Sequence, residues 1–323
     1  MVPLPPLRFE PILKQYLWGG RKLGSLLGKQ LGPGDHYAES WEVVDHGADQ
    51  SIVASGLLRG TALHELVTAY GEALLGRHHP QPRFPLLSKF LDAERTLSVQ
   101  VHPNDAQAAL LDPADLGKTE AWVVLAAEPG SKIYAGVKPG VDRAALEREL
   151  AQGTCDKCLH QFEPRVGDCV FLEAGTAHAI GSGLVIAEIQ QASDTTYRLF
   201  DWNRVDADGN PRPLHIEESL DTIDYHRGPV APQRPEPTDH PERERLVQCD
   251  KFVLDRWRID QPIATGGDRR FHILAVVEGA ATLTVGEHEE SLPLGTTILL
   301  PACLPQYSVR PQGRAVLLDM YLP

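Results

Sequence analysis

The strongest constraint on the fold of this chain is the shortness of its apolar runs. Residues 40–44, 96–101, 121–126, 169–172, 183–190, 271–277, 281–285, 296–300 and 315–321 alternate or run apolar, are rich in β-branched side chains, and are bounded by Gly, Pro or Asp. Short strands punctuated by turn residues build antiparallel barrels or sandwiches. Helical spacing is rarer. It predicts helices over 61–75, with Leu63, Leu66, Val67, Tyr70 and Leu74 on one face, and over 141–150, with Val141, Ala145, Leu146 and Leu150. Pro103-Asn104-Asp105 reads as a capped start for a third helix over 106–111.

Between residues 228 and 241 the chain carries Pro229, Pro232, Pro235, Pro237 and Pro241, a composition that sustains neither helix nor strand. It reads as a linker or extended strap, and places a boundary near residue 230. A weak internal echo supports two related units. The run Gly167-Asp168-Cys169-Val170-Phe171-Leu172 is matched by Gly295-Thr296-Thr297-Ile298-Leu299-Leu300, but Pro305 and Gln306 stand about where the first copy has His178. The expected division is 1–230, with short helices and any metal site, and 231–323, a linker plus a similar barrel without metal.

Bulk properties narrow the partners. A net charge of −13 on 323 residues argues against nucleic acid or an anionic membrane as the main partner. The start shows no basic segment followed by an apolar run, and no stretch approaches the ~20 apolar residues that span a bilayer. Five cysteines are an odd number for a disulfide framework, so a reducing cytoplasm is expected.

The chemistry-bearing residues are dispersed. In an extended strand Ser98, Gln100 and His102 share one face while Leu97, Val99 and Val101 take the other. Lys118 and Glu120 are likewise two apart, at the mouth of a strand, and His178 follows the turn Ala174-Gly175-Thr176-Ala177. Two imidazoles, a carboxylate and an amide oxygen form a donor set for Zn²⁺ with a position left open, and Fe²⁺, Mn²⁺ or Co²⁺ also accept it. Cys155-x-x-Cys158 lacks a second ligand pair and reads as an inert surface pair, and Asp206 to Pro211 as a turn rather than a calcium loop.

Taken together, Tyr16-Leu17-Trp18-Gly19-Gly20, Ala38-Glu39-Ser40-Trp41-Glu42, Phe84-Pro85-Leu86-Leu87-Ser88-Lys89-Phe90-Leu91 with Leu97-Ser98-Val99-Gln100-Val101-His102-Pro103, then Lys118-Thr119-Glu120 and Gly175-Thr176-Ala177-His178, resemble the type I mannose-6-phosphate isomerases of the cupin superfamily. The resemblance implies a mainly β fold of two cupin-type jelly-roll barrels with a few helices, in a monomer or homodimer of the compact bacterial subtype. It implies one Zn²⁺ per chain on Gln100, His102, Glu120 and His178, and a sugar-phosphate substrate, mannose 6-phosphate exchanging with fructose 6-phosphate. By the same resemblance Glu188, Asp194 and Arg198 line the substrate, and Lys89, Ser98 and Lys118 face it. One departure stands out: Glu173 occupies the position of the Pro in the usual Pro-Ala-Gly-Thr turn.

Aldose–ketose isomerisation needs a base and an electrophile, because charge develops on oxygen as a proton moves between C2 and C1. Glu188 is the favoured base, with a metal-bound hydroxide and Lys118 as alternatives; Arg198 suits charge stabilisation, and Lys118, Lys89 and Arg198 with the Ser98 hydroxyl are the groups available for the phosphate. A non-catalytic, metal-binding sugar sensor would not need Glu188, Asp194 and Arg198 together. An oxygen-activating cupin would not choose Gln100 as a ligand.

Overall fold

The computed structural model describes residues 4–205 and 209–323, so the turn expected over 206–211 falls partly outside the described residues. The strands Cys169–Leu172, Glu120–Ala127, Leu184–Gln191, Leu86–Ala93, Tyr37–Val43 and Ile12–Gly20 lie side by side in that order as an antiparallel sheet. Facing it is a second sheet of Leu159–Phe162, Ile133–Val137, His178–Ile180, Val99–Val101 and Tyr197–Phe200. Leu91, Trp122, Val124, Val170 and Ile186 from the first sheet meet Ile133, Ala135 and Ile180 from the second in one buried cluster. Two antiparallel sheets joined by such a core make a jelly-roll sandwich.

The chain repeats the plan. Glu236–Pro237, Arg243–Gln248, Val253–Ile259, Ala315–Tyr321, His272–Glu278 and Thr297–Leu300 form a second six-stranded sheet, opposed by Ile263–Thr265, Tyr307–Pro311, Ala281–Val285 and His288–Leu292. The echo in the sequence is an echo in hydrogen bonding. Gly167 N–H donates to the carbonyl of Val124 at 2.8 Å, and Gly295 N–H to that of Val276 at 2.9 Å. Both glycines have positive φ, which lets the turn form without a Cβ clash. The proline-rich segment is a strap pinned to the first unit, with Val230 N–H on Ala135 O and Gln233 N–H on Cys169 O. Against expectation it holds a short strand, Glu236–Pro237, at the sheet edge, where a proline's missing N–H costs no ladder bond.

Helices fall close to expectation. Leu63–Leu75 buries Leu63, Leu66, Val67 and Leu74, and Arg143–Ala151 starts where the Asp142 side chain accepts from Ala145 N–H. The third is only Asp105–Ala108, capped by Asn104, while Lys22–Leu27 and Ile216–Thr222 had no clear pattern in sequence. Glu173 is accommodated without proline: Thr176 N–H donates to the Glu173 carbonyl at 3.1 Å, and its carboxylate pairs with Arg227. Cys155 and Cys158 are buried against Val99 and Leu146, which corrects the reading of a surface pair. Among the described residues no helix is long and apolar enough to cross a membrane.

Inside the second unit several buried polar residues pair with one another, although Thr297 Oγ1 and the Tyr307 hydroxyl have no hydrogen-bond partner. Asp319 accepts from His272 Nδ1 at 2.7 Å and from Trp257 Nε1 at 3.2 Å, while Asp255, opposite it in register, pairs with Arg245 and accepts from the Tyr321 hydroxyl. Burial opposes the charge on His272, but Asp319 and Asp268 outweigh it and push the imidazolium up to about 9. A folded value above the ordinary ~6.5 gives stability that is complete below pH ~6.5 and lost as pH rises through ~9, on the order of 3 kcal/mol. A His272→Gln variant is therefore expected to unfold more readily than the parent in urea at neutral pH, with the gap closing at alkaline pH; a gap independent of pH would contradict this.

Candidate metal centre

Alternation along strands decides which side chains enter the first sandwich. On the larger sheet the inward row is Lys89 and Leu91, Glu188 and Gln190, and Glu120 and Trp122, because Glu188 stands opposite both Lys89 and Trp122, and Gln190 opposite Glu120. On the facing sheet Gln100 stands opposite His178 on one side and Arg198 on the other, so these three share a face. His102, two residues beyond Gln100, leaves the strand end on that side.

His102, Glu120 and His178 converge: their ligand atoms all lie within 4.8 Å of one another, and all three residues are buried. His102 Nε2 is 3.5 Å from Glu120 Oε2, and His178 Nε2 is 3.3 Å from Glu120 Oε1. Ligands held ~2.1 Å from a common ion in a tetrahedral arrangement stand ~3.4 Å apart, so the spacing suits a metal. Each imidazole is committed at its other nitrogen, His102 Nδ1 to the carbonyl of Thr195 at 3.0 Å and His178 Nδ1 to that of Thr176 at 2.8 Å. With Nδ1 as donor the lone pair is on Nε2, the tautomer a ligand needs. His102 Nε2, His178 Nε2 and Glu120 Oε2 are all buried without a hydrogen-bond partner. Glu120 has Lys118 Nζ at 3.2 Å, but the two imidazole lone pairs have no donor, and buried acceptors of that kind are costly unless a cation sits there. Burial, with Lys118 and His178 nearby, pushes His102 well below its ordinary value, and burial pushes His178 down to about 4. Both rings are thus neutral at pH 7 and ready to bind.

Beside this trio runs a chain of alternating charges. Lys118 Nζ lies 3.2 Å from Glu120 and 4.0 Å from Glu188; Lys89 Nζ lies 3.3 Å from Glu188 and 3.3 Å from Glu39. Burial lowers Lys89, but Glu188 and Glu39 overcome it and hold the ammonium above its usual value. Burial raises Glu188 above the usual carboxylate range, against the lowering by Lys89. Its Oε1 has no hydrogen-bond partner.

Ser98 is buried just before the Val99–Val101 strand, on the Gln100 side. Asp194 is exposed, in the loop after Leu184–Gln191, within electrostatic range of Lys89 and Tyr16. Arg198 is half buried, donates from Nη1 to the carbonyl of Pro213, and is lowered by burial and by Arg212. Sequence reasoning missed Glu39, which Trp41 Nε1 holds at 2.6 Å, and Gln190, whose buried Oε1 is also unpartnered. It also missed a cavity of about 580 Å³ lined by Tyr16, Trp18, His36, Arg95, Arg204 and Arg212. Arginines scattered over 95–212 leave no local pattern. Only the topology gathers them.

The family model for the type I phosphomannose isomerase catalytic domain matches residues 7–121, and that for the mannose-6-phosphate isomerase cupin domain matches residues 242–319. Mannose-6-phosphate isomerase ManA of Bacillus subtilis is 34% identical over 310 residues, which cover 94% of this chain and 95% of that protein. The mannose-6-phosphate isomerase of Streptococcus mutans is 34% identical over 296 residues, 92% of each. The chain belongs to the type I mannose-6-phosphate isomerase family. It is accordingly an enzyme, an aldose–ketose isomerase. The solved mannose 6-phosphate isomerase of B. subtilis superposes with a TM-score of 0.90 at 28% identity, covering 99% of this chain and 100% of that one. A variant of the Salmonella typhimurium phosphomannose isomerase, at 18% identity and a TM-score of 0.79 over 99% of this chain and all of that one, shares the fold.

The isomerase is expected to gain thermal stability when Zn²⁺ is returned to chelator-treated protein, by about 2.7 kcal/mol at a hundredfold excess over Kd. His178→Ala should abolish the gain. No shift in the parent, with no metal by elemental analysis, would tell against the centre.

Proposed function

We propose that this isomerase interconverts mannose 6-phosphate and fructose 6-phosphate, with one Zn²⁺ per chain held by Gln100, His102, Glu120 and His178. The observation that carries the reading is the convergence of His102, Glu120 and His178 on one point, with two imidazole nitrogens that no donor reaches, beside a buried Glu188 held between Lys89 and Lys118. Bound zinc supplies Lewis acidity toward the carbonyl and hydroxyl oxygens of the sugar. Glu188 is the base that carries the proton between C2 and C1 through an enediol-like intermediate. Burial has raised its proton affinity toward working pH, as such a role requires. Lys118 and Lys89 flank Glu188, orient it, and neutralise charge developing on the sugar oxygens, with the Ser98 hydroxyl as a further contact.

Among the described residues both lysines are paired with carboxylates, whereas Arg198 pairs with none. The dianionic phosphate is therefore assigned to Arg198 and the arginine-lined cavity near it, with the sugar carbons running back toward Glu188. Asp194, on its exposed loop, reaches the outer end of the substrate. We divide the chain functionally at residue 230: 1–230 carries the catalytic machinery, and 231–323, linker and second barrel, carries no metal. The five free cysteines support a cytoplasmic setting.

A coupled assay should show fructose 6-phosphate formed from mannose 6-phosphate, lost on prolonged chelation and restored by Zn²⁺. Activity that survives complete metal removal would overturn the proposal. Glu188→Gln is expected to lower kcat by 10²–10⁴-fold with zinc content unchanged. Arg198→Ala should cost at least tenfold in kcat/KM; near-parental values would remove Arg198 from the mechanism.

A further inference from the structure

His102 can serve a metal only while its proton stays on Nδ1, since Nε2 is the atom facing Glu120. That proton goes to the Thr195 carbonyl, 3.0 Å away. The orientation of the ring thus depends on what holds Thr195, a residue of the loop between the strands Leu184–Gln191 and Tyr197–Phe200. The answer is Asp115. Its Oδ2 accepts the Thr195 hydroxyl at 3.0 Å and the Ser193 hydroxyl at 2.8 Å. Ser193 Oγ in turn accepts from Thr195 N–H at 3.3 Å. The other carboxylate oxygen takes Arg83 Nη2 at 2.9 Å, and His46 Nε2 lies 3.2 Å from each oxygen.

Asp115 is well placed for a clamp. Its side chain is only 9% exposed, and although burial opposes its charge, bonds from His46 and Ser193 hold the carboxyl well below the usual range, so it stays ionised. It lies in the connection that runs on directly into Lys118 and Glu120. One carboxylate therefore ties the segment that delivers Glu120 to the loop that orients His102 and carries Asp194.

We infer that Asp115 is a positioning residue of the metal centre: by gripping the Ser193 and Thr195 hydroxyls it fixes the carbonyl that locks His102 in its ligand tautomer. The inference rests on the metal reading proposed above. Groups that orient a metal ligand are typically worth 10–100-fold in metal affinity.

The test uses full-length protein stripped with a chelator, and compares parent, Asp115→Asn and Thr195→Val. Thr195→Val keeps the carbonyl and the side-chain shape and removes only the hydroxyl. Zinc affinity is read by competition with a chromophoric chelator, the site geometry by the visible spectrum of added Co²⁺, and the fold by the melting temperature of the metal-free protein. Zinc affinity should fall by about 10–100-fold in both variants, with a changed Co²⁺ spectrum and a metal-free melting temperature close to the parent's for Thr195→Val. Zinc affinity within twofold of parent in Thr195→Val would overturn the inference, and that variant carries the test if Asp115→Asn fails to fold. A parent that takes up no stoichiometric zinc would remove the metal reading and this inference together, an outcome the parent titration separates from parent-like variants.

Discussion

Everything at the site depends on keeping charge out of water inside a sandwich core. Glu39, Glu120 and Glu188 are buried with Lys89 and Lys118, and the two imidazoles are neutral. Three carboxylates against two ammoniums leave one negative charge uncompensated, beside two imidazole nitrogens, of His102 and His178, that no hydrogen bond in the chain satisfies. A buried charge of that kind is among the most expensive features a fold can carry. A divalent cation would reverse the sign, leaving one net positive charge. Burial, with Glu120 adding to it, is why Glu188 holds its proton more readily than a surface glutamate.

The second unit meets the same burial problem with its own residues. By register, His272 occupies the position equivalent to Glu120, Asp319 that of Glu188, and Asp255 that of Lys89: Leu300 faces His272 as Leu172 faces Glu120, and Asp255 faces Asp319 as Lys89 faces Glu188. There the acid and base partners sit on adjacent strands and meet at 2.7 Å, so the set closes on itself. In the first unit Glu120, at the position of His272, instead shares a centre with His102 and His178 of the facing sheet. One scaffold thus yields an open donor set or a largely paired core according to which residues occupy three inward positions.

Much of this was legible in the sequence, for a physical reason. Strand alternation is local, so Gln100 and His102, or Lys118 and Glu120, declare a shared face within three residues. The glycine turns at Gly167 and Gly295 announce themselves because few other residues adopt their backbone. What was hidden is whatever register alone brings together. The strand Leu86–Ala93 is buried on both faces, with Lys89 inward and Phe90 outward, and so shows no clean alternation of apolar and polar. Glu39, Gln190 and Arg212 acquire meaning only through strands and loops far from them in the chain. Cys155 and Cys158 looked exposed because a short polar stretch in sequence masked their place under the smaller sheet.

The two-faced burial of the catalytic sheet also assigns work to the second barrel. The outward row, Phe90, Val123, Val185, Ala187 and Ile189, belongs to one cluster with Leu254, Ile273, Ala275, Leu318 and Met320 of the second six-stranded sheet, and with Leu66 and Leu74 of the helix Leu63–Leu75. The strands that hold Lys89 and Glu188 on their inner side are therefore clamped from behind by this shared core. Interiors packed this closely transmit strain rather than absorb it, so the position of Glu188 depends on residues of the other unit. The inner face that carries Lys89 and Glu188 thus owes its rigidity to residues of both units.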